Sequence, residues 1–382
     1  MKCKTLINIL GKYNHSNIVA ALNLKPDNIV FISFDNDKEY YDNVKECTSR
    51  KLPNVQMEEL VIENLTESDI RDVIYKFNYE DTFLNLSGGT KLMSILTYKA
   101  AQDSDMTMIY VDTENNKILK IGEIIEEIVH IDLELTVEDL VCSTGAEIIK
   151  NSTELYEKEE FKKLVDFMVN DYDAWKNVKG ILRNSQIVKQ FERYPLQVEI
   201  VTGGLKPDHI KYLDDFLSEL SRRGMIKQYR LNSDHAQFDF TSKEAKTFVM
   251  MAGCWLEALT YRYIKEVKDV ENVISGMLFV WDEAVKVHNE LDVVAAVDSH
   301  LVCISCKDTN KYDVDELNEL AVYADHLGGK RVIKIFVSTE KPERKKMTYQ
   351  RAEEMNIHIV IFEGDVTNFR SKLYSIIDKA HA

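Results

Sequence analysis

The stretch TFLNLSGGTKLMSILTYKAA, Thr82 to Ala101, decides how the N-terminal third of the chain is read. Thr82–Leu86 is a short continuous apolar run, and Lys91–Ala101 carries apolar residues at helical spacing. Between them lies the turn Ser87-Gly88-Gly89-Thr90. A strand, a glycine turn and a helix in that order form the repeating unit of a parallel sheet, whose strands need crossover connections. The two glycines let backbone N–H groups approach an anion, and a helix start adds favourable dipole charge. Ser87 and Thr90 supply hydroxyls beside Asn85, and Lys91 supplies a positive charge. The spacing is not that of a Walker A loop, and no third glycine completes a dinucleotide fingerprint. A capped helix start with no ligand is the plain alternative.

The same unit recurs outward from this stretch. Apolar runs at Thr5–Leu10, Asn28–Phe34 and Met106–Val111 alternate with helical patterns at Asn17–Leu22, Tyr40–Arg50 and Ser68–Phe77. Continuous apolar strands predict a parallel sheet covered on both faces, with ligands at the carboxyl ends of the strands. The loop from Gly11 to Asn17 leaves the first strand at that end and presents Lys12, Asn14, His15 and Ser16. A single histidine such as His15 is more often a surface residue than a ligand contact.

At 382 residues and ~150 residues per domain, the chain holds two to three domains. It is 45% hydrophobic and 29% charged, with a mean hydropathy of −0.27, an ordinary globular mix. No run approaches the ~18 apolar residues of a membrane span, and the N-terminus reads as a strand and not a signal peptide. Six cysteines are too sparse for a disulfide scaffold, so reduced thiols and a cytoplasmic location are expected. The net charge is −16, and the first 150 residues hold 26 acidic against 15 basic side chains. Bulk charge therefore does not attract nucleic acid, and any polyanion contact must be local or aided by a metal ion.

From about residue 131 the pattern changes. Glu154–Met168 reads as a helix. Ile210–Gly224 is amphipathic, with Leu213, Phe216, Leu217 and Leu220 on one face and Gly224 as a stop. Tyr229–Leu231 and Gln237–Phe240 suggest a hairpin, so this middle segment resembles a small helical or winged-helix-like connector. The remainder reads as Val249–Val267 helix, then strands Gly276–Trp281, Glu290–Val297 and Leu301–Lys307. Helix Val314–Leu327, strand Val332–Val337, helix Met347–Met355 and strand Ile357–Phe362 follow. Asp298–Ser299 is a tight turn that pairs the second and third strands antiparallel.

That hairpin carries the second group of chemical interest. Period two puts Glu290 and Asp292 on one face of their strand, and Cys303, Ser305 and Lys307 on one face of the next. The hairpin brings Asp292 beside Lys307, and Glu257, on the preceding helix, is within reach of both. Carboxylates at a strand end suit Mg²⁺ or Mn²⁺, which prefer oxygen ligands. Cys306 offers its backbone carbonyl. Such a metal polarises a phosphoryl oxygen and lowers the pKa of a bound water, while Lys307 orients that water or offsets developing charge. Surface hairpins also carry ordinary Asp–Lys pairs. The apolar neighbours Leu291, Val293, Val294, Val302 and Ile304 argue for a buried sheet, where a charge needs a reason. Cys303 and Cys306 point to opposite faces, so neither zinc nor a redox pair is favoured. Lys341, Arg344, Lys345 and Lys346 form a basic loop able to follow a nucleic-acid backbone.

The strand followed by Asn-Leu-Ser-Gly-Gly-Thr-Lys-Leu-Met resembles the second ligand motif of the CRISPR-associated Rossmann fold (CARF) domain, and Gly11–Asn17 stands in the place of its first motif. The resemblance implies a homodimer that binds a cyclic oligoadenylate, most often cyclic tetra-adenylate, through Gly11, Lys12, Asn14, His15, Ser16, Asn17, Asn85, Ser87, Gly88, Gly89, Thr90 and Lys91. The C-terminal helix–strand–strand–strand–helix–strand order resembles the PD-(D/E)xK restriction-endonuclease-like core. Asp292 matches the motif aspartate, Lys307 the motif lysine and Glu257 the helix acid. Ser305 stands where the general pattern has a second acid, a departure that weakens metal binding or hands that role to Glu290. A CARF domain with this core is similar to the CRISPR ancillary nucleases of type III systems.

The expected α/β architecture is a Rossmann-like CARF domain (1–130), a connector (131–247) and a nuclease domain (248–382). The implied ligands of Mn²⁺ or Mg²⁺ are Glu257, Glu290, Asp292 and the Cys306 carbonyl, and the implied substrate is DNA, RNA or both. The alternative is a ligand-responsive transcription regulator that reads DNA through the connector, with Ser221-Arg222-Arg223 nearest to a basic recognition helix.

Overall fold

The strand–turn–helix units build a seven-stranded sheet. The computed structural model describes residues 2–34, 38–77, 79–113, 115–281 and 287–380. In it five strands run parallel: β1 (Thr5–Ile9), β2 (Asn28–Phe34), β3 (Gln56–Ile62), β4 (Thr82–Asn85) and β5 (Thr107–Asp112). Two antiparallel strands, β6 (Lys117–Lys120) and β7 (Glu126–His130), extend it to the order β3-β2-β1-β4-β5-β6-β7. β3 is an edge strand in which exposed Gln56 and Glu58 interrupt the apolar pattern, so the sequence alone does not predict it. Helices α1 (His15–Leu24) and α2 (Lys38–Lys51) cover one face, packing Ile18, Val19 and Val44 onto Leu6, Phe31 and Phe83. On the other face α3 (Glu67–Ile74) and α4 (Lys91–Ala101) pack Ile70, Ile74 and Met93 onto Ile7, Ile32 and Leu84. The chain winds outward from β1 to β3 and returns beside β1 as β4. The crevice beyond the ends of β1 and β4 is therefore the topological switch point, the favoured ligand position in open sheets.

The middle segment mixes helices with strands. It begins with α5 (Val137–Cys142), β8 (Glu147–Lys150), α6 (Thr153–Glu157), α7 (Glu159–Asn170) and α8 (Tyr172–Leu182). The helix expected over Glu154–Met168 is broken at Lys158, whose backbone is extended. Next come β9 (Val188–Phe191), β10 (Tyr194–Val201), α9 (Pro207–Arg222), β11 (Ile226–Leu231), β12 (His235–Phe240) and α10 (Lys243–Met250). The last four strands form an antiparallel sheet in the order β11-β12-β10-β9.

The C-terminal segment has α11 (Cys254–Lys265), β13 (Val270–Val280), β14 (Asn289–Val297), β15 (His300–Lys307) and α12 (Val314–Gly328). It ends with β16 (Ile333–Ser338), α13 (Lys345–Glu354), β17 (Ile357–Ile361) and α14 (Val366–Ala380). Its sheet runs β17-β16-β15-β14-β13-β8, so the connector strand β8 forms one edge. The single helix expected over Val249–Val267 is two, because Gly253 takes φ +99°, a conformation that interrupts a helix. Asp298 (φ 45°) and Ser299 (φ 60°) make the two-residue turn between Val297 and His300, as the twist of a tight hairpin requires.

The cysteines differ from expectation. Cys47 on α2 and Cys142 on α5 are joined by a disulfide with Cα atoms 6.0 Å apart. Their separation of 95 residues left no spacing signal in the sequence. Cys303 and Cys306 are free and buried, and they lie in different cores on opposite faces of the sheet.

Candidate functional site

The loops after β1 and β4 touch. A Cβ on Gly11 would lie 2.8 Å from Gly89 Cα, and one on Gly88 would lie 2.1 Å from the Ile9 carbonyl oxygen. Gly89 takes φ +68°, which a side chain would strain. A buried asparagine framework fixes both loops. Asn17 Nδ2 donates to the Ile9 carbonyl at 2.9 Å, and Asn85 Nδ2 donates to Asn8 Oδ1 at 3.0 Å and to Asn17 Oδ1 at 3.1 Å. Asn14 Nδ2 donates to the Gly11 carbonyl at 2.8 Å. Ser87 N donates to Asn85 Oδ1 at 3.0 Å, while Ser87 Oγ accepts Val111 N at 2.6 Å. Thr90 caps α4 by accepting Met93 N at 3.3 Å.

The predicted ligand residues thus divide. Asn14, Asn17, Asn85 and Gly88 are buried and shape the loops, whereas Lys12, Thr90 and Lys91 are exposed. Gly11, Ser16, Ser87 and Gly89 are partly exposed. His15 looks elsewhere. It lines a cavity of about 120 Å³ together with Tyr13, Thr113, Ser299, His300 and Arg331. Burial pushes its imidazole down to about 4, and the neighbouring His300 and Arg331 act in the same direction. This cavity joins the first loop to the turn of the β14–β15 hairpin.

The open end of that hairpin holds the second group. Asp292 Oδ2 accepts the Cys306 backbone N–H at 2.6 Å and the Ser305 hydroxyl at 3.2 Å. Glu257 Oε2 accepts the Tyr156 hydroxyl at 2.9 Å. A Cβ on Gly253 would lie 3.3 Å from Glu257 Oε1 and 3.8 Å from the Cys306 carbonyl oxygen, so those two oxygens flank Gly253. Burial pushes Glu257 up to about 8, and the Asp292 charge adds to the rise. Burial likewise raises Asp292, against the pull of Lys307 and the Cys306 N–H. Glu290 is exposed one alternation along β14, and its charge acts on both carboxyls.

Among the described residues, no lysine, arginine or histidine lies within ion-pair distance of Glu257 or Asp292. No three His, Cys, Asp or Glu side chains gather into a metal-binding group among them either. The oxygens brought together are two carboxylates and one carbonyl. Desolvated carboxylates with no ion-paired partner are costly even with the Lys307 charge nearby, and an all-oxygen set of this kind fits a hard divalent ion. Tyr156 went unnoticed in the sequence, because nothing local in α6 shows that it meets a glutamate 101 residues away.

A glycine-lined cradle at the switch point of a Rossmann-like sheet, joined to a sheet with paired carboxylates, defines a class: a ligand-binding domain fused to a nuclease-like domain. Residues 5–140 match the family described as Card1 CARF domain, and residues 242–378 match the one described as Card1-like, endonuclease domain. The chain therefore belongs to the CARF-domain nucleases, with a CARF domain at its N-terminus, an endonuclease domain at its C-terminus and a connector between.

No curated protein matches the sequence. The fold is similar to that of protein VC1899 from Vibrio cholerae, with a TM-score of 0.75, 18% identity and 99% of each chain covered. It is also similar to Can2 from Sulfobacillus thermosulfidooxidans, solved in complex with cyclic tetra-adenylate, with a TM-score of 0.71, 18% identity and 99% of each chain covered. A type III CRISPR defence DNA nuclease activated by cyclic oligoadenylate matches with a TM-score of 0.51 and 13% identity, over 91% of this chain and 48% of its own. These likenesses are of fold. Among the described residues no helix is long and apolar enough to cross a membrane.

Proposed function

We propose that this protein is a cyclic-oligoadenylate-activated, metal-dependent nuclease of type III CRISPR defence, acting in the cytoplasm on DNA, RNA or both. In this reading residues 1–130 sense, 131–247 connect and 248–382 cut. The observation that carries it is the pairing of Glu257 and Asp292 beside the Cys306 carbonyl, with no ion-paired cation among the described residues.

Glu257, Asp292 and the Cys306 carbonyl would hold Mn²⁺ or Mg²⁺, with Glu290 adding negative charge at the mouth. The metal, when bound, supplies Lewis acidity toward a phosphodiester and its attacking water. Ser305 and the Cys306 N–H fix the Asp292 carboxylate. Tyr156 orients Glu257. Lys307 stands at the end of β15 to offset charge on the transferring phosphoryl group. The exposed Lys341, Arg344, Lys345 and Lys346 follow β16, whose Ser338 pairs with Lys307. They would track the substrate backbone.

In the CARF domain, the amides of Gly88 and Gly89 with Lys12, Thr90 and Lys91 would take phosphates of cyclic tetra-adenylate, each protomer of a homodimer supplying half of a two-fold site. The exposed stripe Leu92, Ile95 and Tyr98 on α4 supports a dimer built beside that cradle. The regulator alternative finds less support, because Glu219 holds both Arg222 and Arg223 of the nearest basic helix end.

The test is cleavage of supercoiled plasmid, single-stranded DNA and RNA with Mn²⁺, with and without cyclic tetra-adenylate. Activity should require both additions and disappear in Asp292→Ala and Lys307→Ala. Cleavage that survives either substitution would remove the site assignment.

A further inference from the structure

Asp308 follows Lys307 directly, and its side chain is fully enclosed. Its Oδ1 accepts Lys179 Nζ at 2.6 Å and Thr339 Oγ1 at 2.8 Å. Its Oδ2 accepts the Arg183 guanidinium at 2.6 Å and the Trp255 indole N–H at 2.7 Å. Arg183 also donates to the Asp308 carbonyl oxygen at 3.0 Å. Burial works against ionisation here, yet Lys179 and Arg183 hold the carboxyl below its usual range.

The donors come from separate parts of the chain. Lys179 and Arg183 mark one turn at the end of α8 in the connector, Trp255 lies two residues before Glu257 on α11, and Thr339 follows β16. A buried ion cluster of this kind adds little net stability compared with apolar packing, but its directional bonds specify one geometry. That geometry sets the end of β15, which bears Lys307, against the helix that bears Glu257.

We infer that Asp308 is a positioning residue for the nuclease reaction. It locks the Lys307 strand end to the Glu257 helix and uses the connector helix α8 as its anchor. The inference rests on the roles proposed above for Glu257, Asp292 and Lys307. Small displacements of a reacting group lower rate far more than they lower substrate binding.

The experiment is steady-state cleavage of plasmid by the full chain with Mn²⁺ and cyclic tetra-adenylate, beside thermal melts. Trp255→Phe keeps an aromatic ring but removes the donor to Asp308 and part of the indole packed against Tyr172, Trp175 and Phe362. It should lower kcat about three- to tenfold with KM unchanged, and the melting temperature should drop modestly because a buried donor and some packing volume are lost. Asp308→Asn should lower kcat further. Lys179→Met should resemble Asp308→Asn, and Lys179→Arg should recover most of the rate. If Asp308→Asn does not fold, the Trp255 and Lys179 variants decide. Unchanged kcat in folded Trp255→Phe and Lys179→Met, or a rise in KM alone, overturns the inference. Lys307→Ala is the control: if it still cuts, the proposed active site fails. If Lys307→Ala is inactive while the Asp308 cluster variants are normal, only the positioning role fails.

Discussion

The carboxylate of Asp292 accepts the backbone N–H of Cys306 at 2.6 Å across the β14–β15 hairpin. The backbone pairing of these strands runs from Val297↔His300 to Val293↔Ile304 and ends one residue short of Asp292. The side chain takes an amide that the ladder leaves free. Asp292 is thereby held at the strand end beside Lys307, at a cost in solvation that raises its pKa.

This cost predicts a trade-off. Asn at position 292 retains an acceptor for the amide and removes a charge that burial disfavours. In metal-free buffer at pH 7, Asp292→Asn should melt higher than the native protein, because a carboxyl whose folded pKa is raised destabilises the fold once pH exceeds its unfolded value. Cleavage should fall by on the order of 10²-fold or more. Melts with chelator and plasmid assays with Mn²⁺ check the two halves, and a lower melting point for the variant would contradict the account.

Gly88→Ala should damage the cradle from within. The new Cβ would sit 2.1 Å from the Ile9 carbonyl oxygen, so the β1 and β4 loops must separate. Calorimetry with cyclic tetra-adenylate should show affinity at least tenfold weaker, and Mn²⁺-dependent cleavage should need correspondingly more cyclic tetra-adenylate to reach its full rate. Unaltered affinity would place the ligand elsewhere.

His15 makes the junction between the domains sensitive to acid. Its folded pKa of about 4, lowered by burial and then by His300 and Arg331, lies below the unfolded value of about 6.5. The unfolded chain therefore binds a proton first, and the fold loses stability as pH drops from about 6.5 toward 4. His15→Gln should reduce this loss, so its melting temperature should fall less than that of the native chain across the window and match it in slope above pH 7. Equal slopes below pH 6 would show that burial does not hold the imidazole neutral in the folded protein.

The disulfide ties the CARF helix α2 to α5. Closing a 95-residue separation is worth up to about 4.7 kcal/mol by loop-entropy reasoning, of which disulfides typically deliver about 2–4 kcal/mol. Cys47→Ser, or reduction of the native chain, should lower the melting temperature, and the two effects should not add. Thiol counting by mass spectrometry before and after reduction tests whether the bond is present.

Much of the architecture was written locally. Asn28–Phe34 and Thr82–Leu86 are strands by their apolar runs, and Ser87–Thr90 announces the turn before α4 by residue type alone. Alternation along β15 put Cys303 and Cys306 on opposite faces, where they pack in different cores, since period two is a property of the strand itself. β3 and β8 were not legible. Each is an edge strand, and β8 exists only because β13, more than a hundred residues later, pairs with it.

By itself, the sequence determined the α/β class, the parallel N-terminal sheet, the hairpin and the candidate acids, because backbone periodicity and glycine turns act over a few residues. Only the tertiary structure decided that Tyr156 meets Glu257, that Lys179 and Arg183 enclose Asp308, that His15 faces His300 and Arg331, and that Cys47 bonds Cys142. These pairs are separated by roughly a hundred residues or more. A contact at that range arises from how whole layers stack, and no local pattern encodes which side chains the stacking brings face to face.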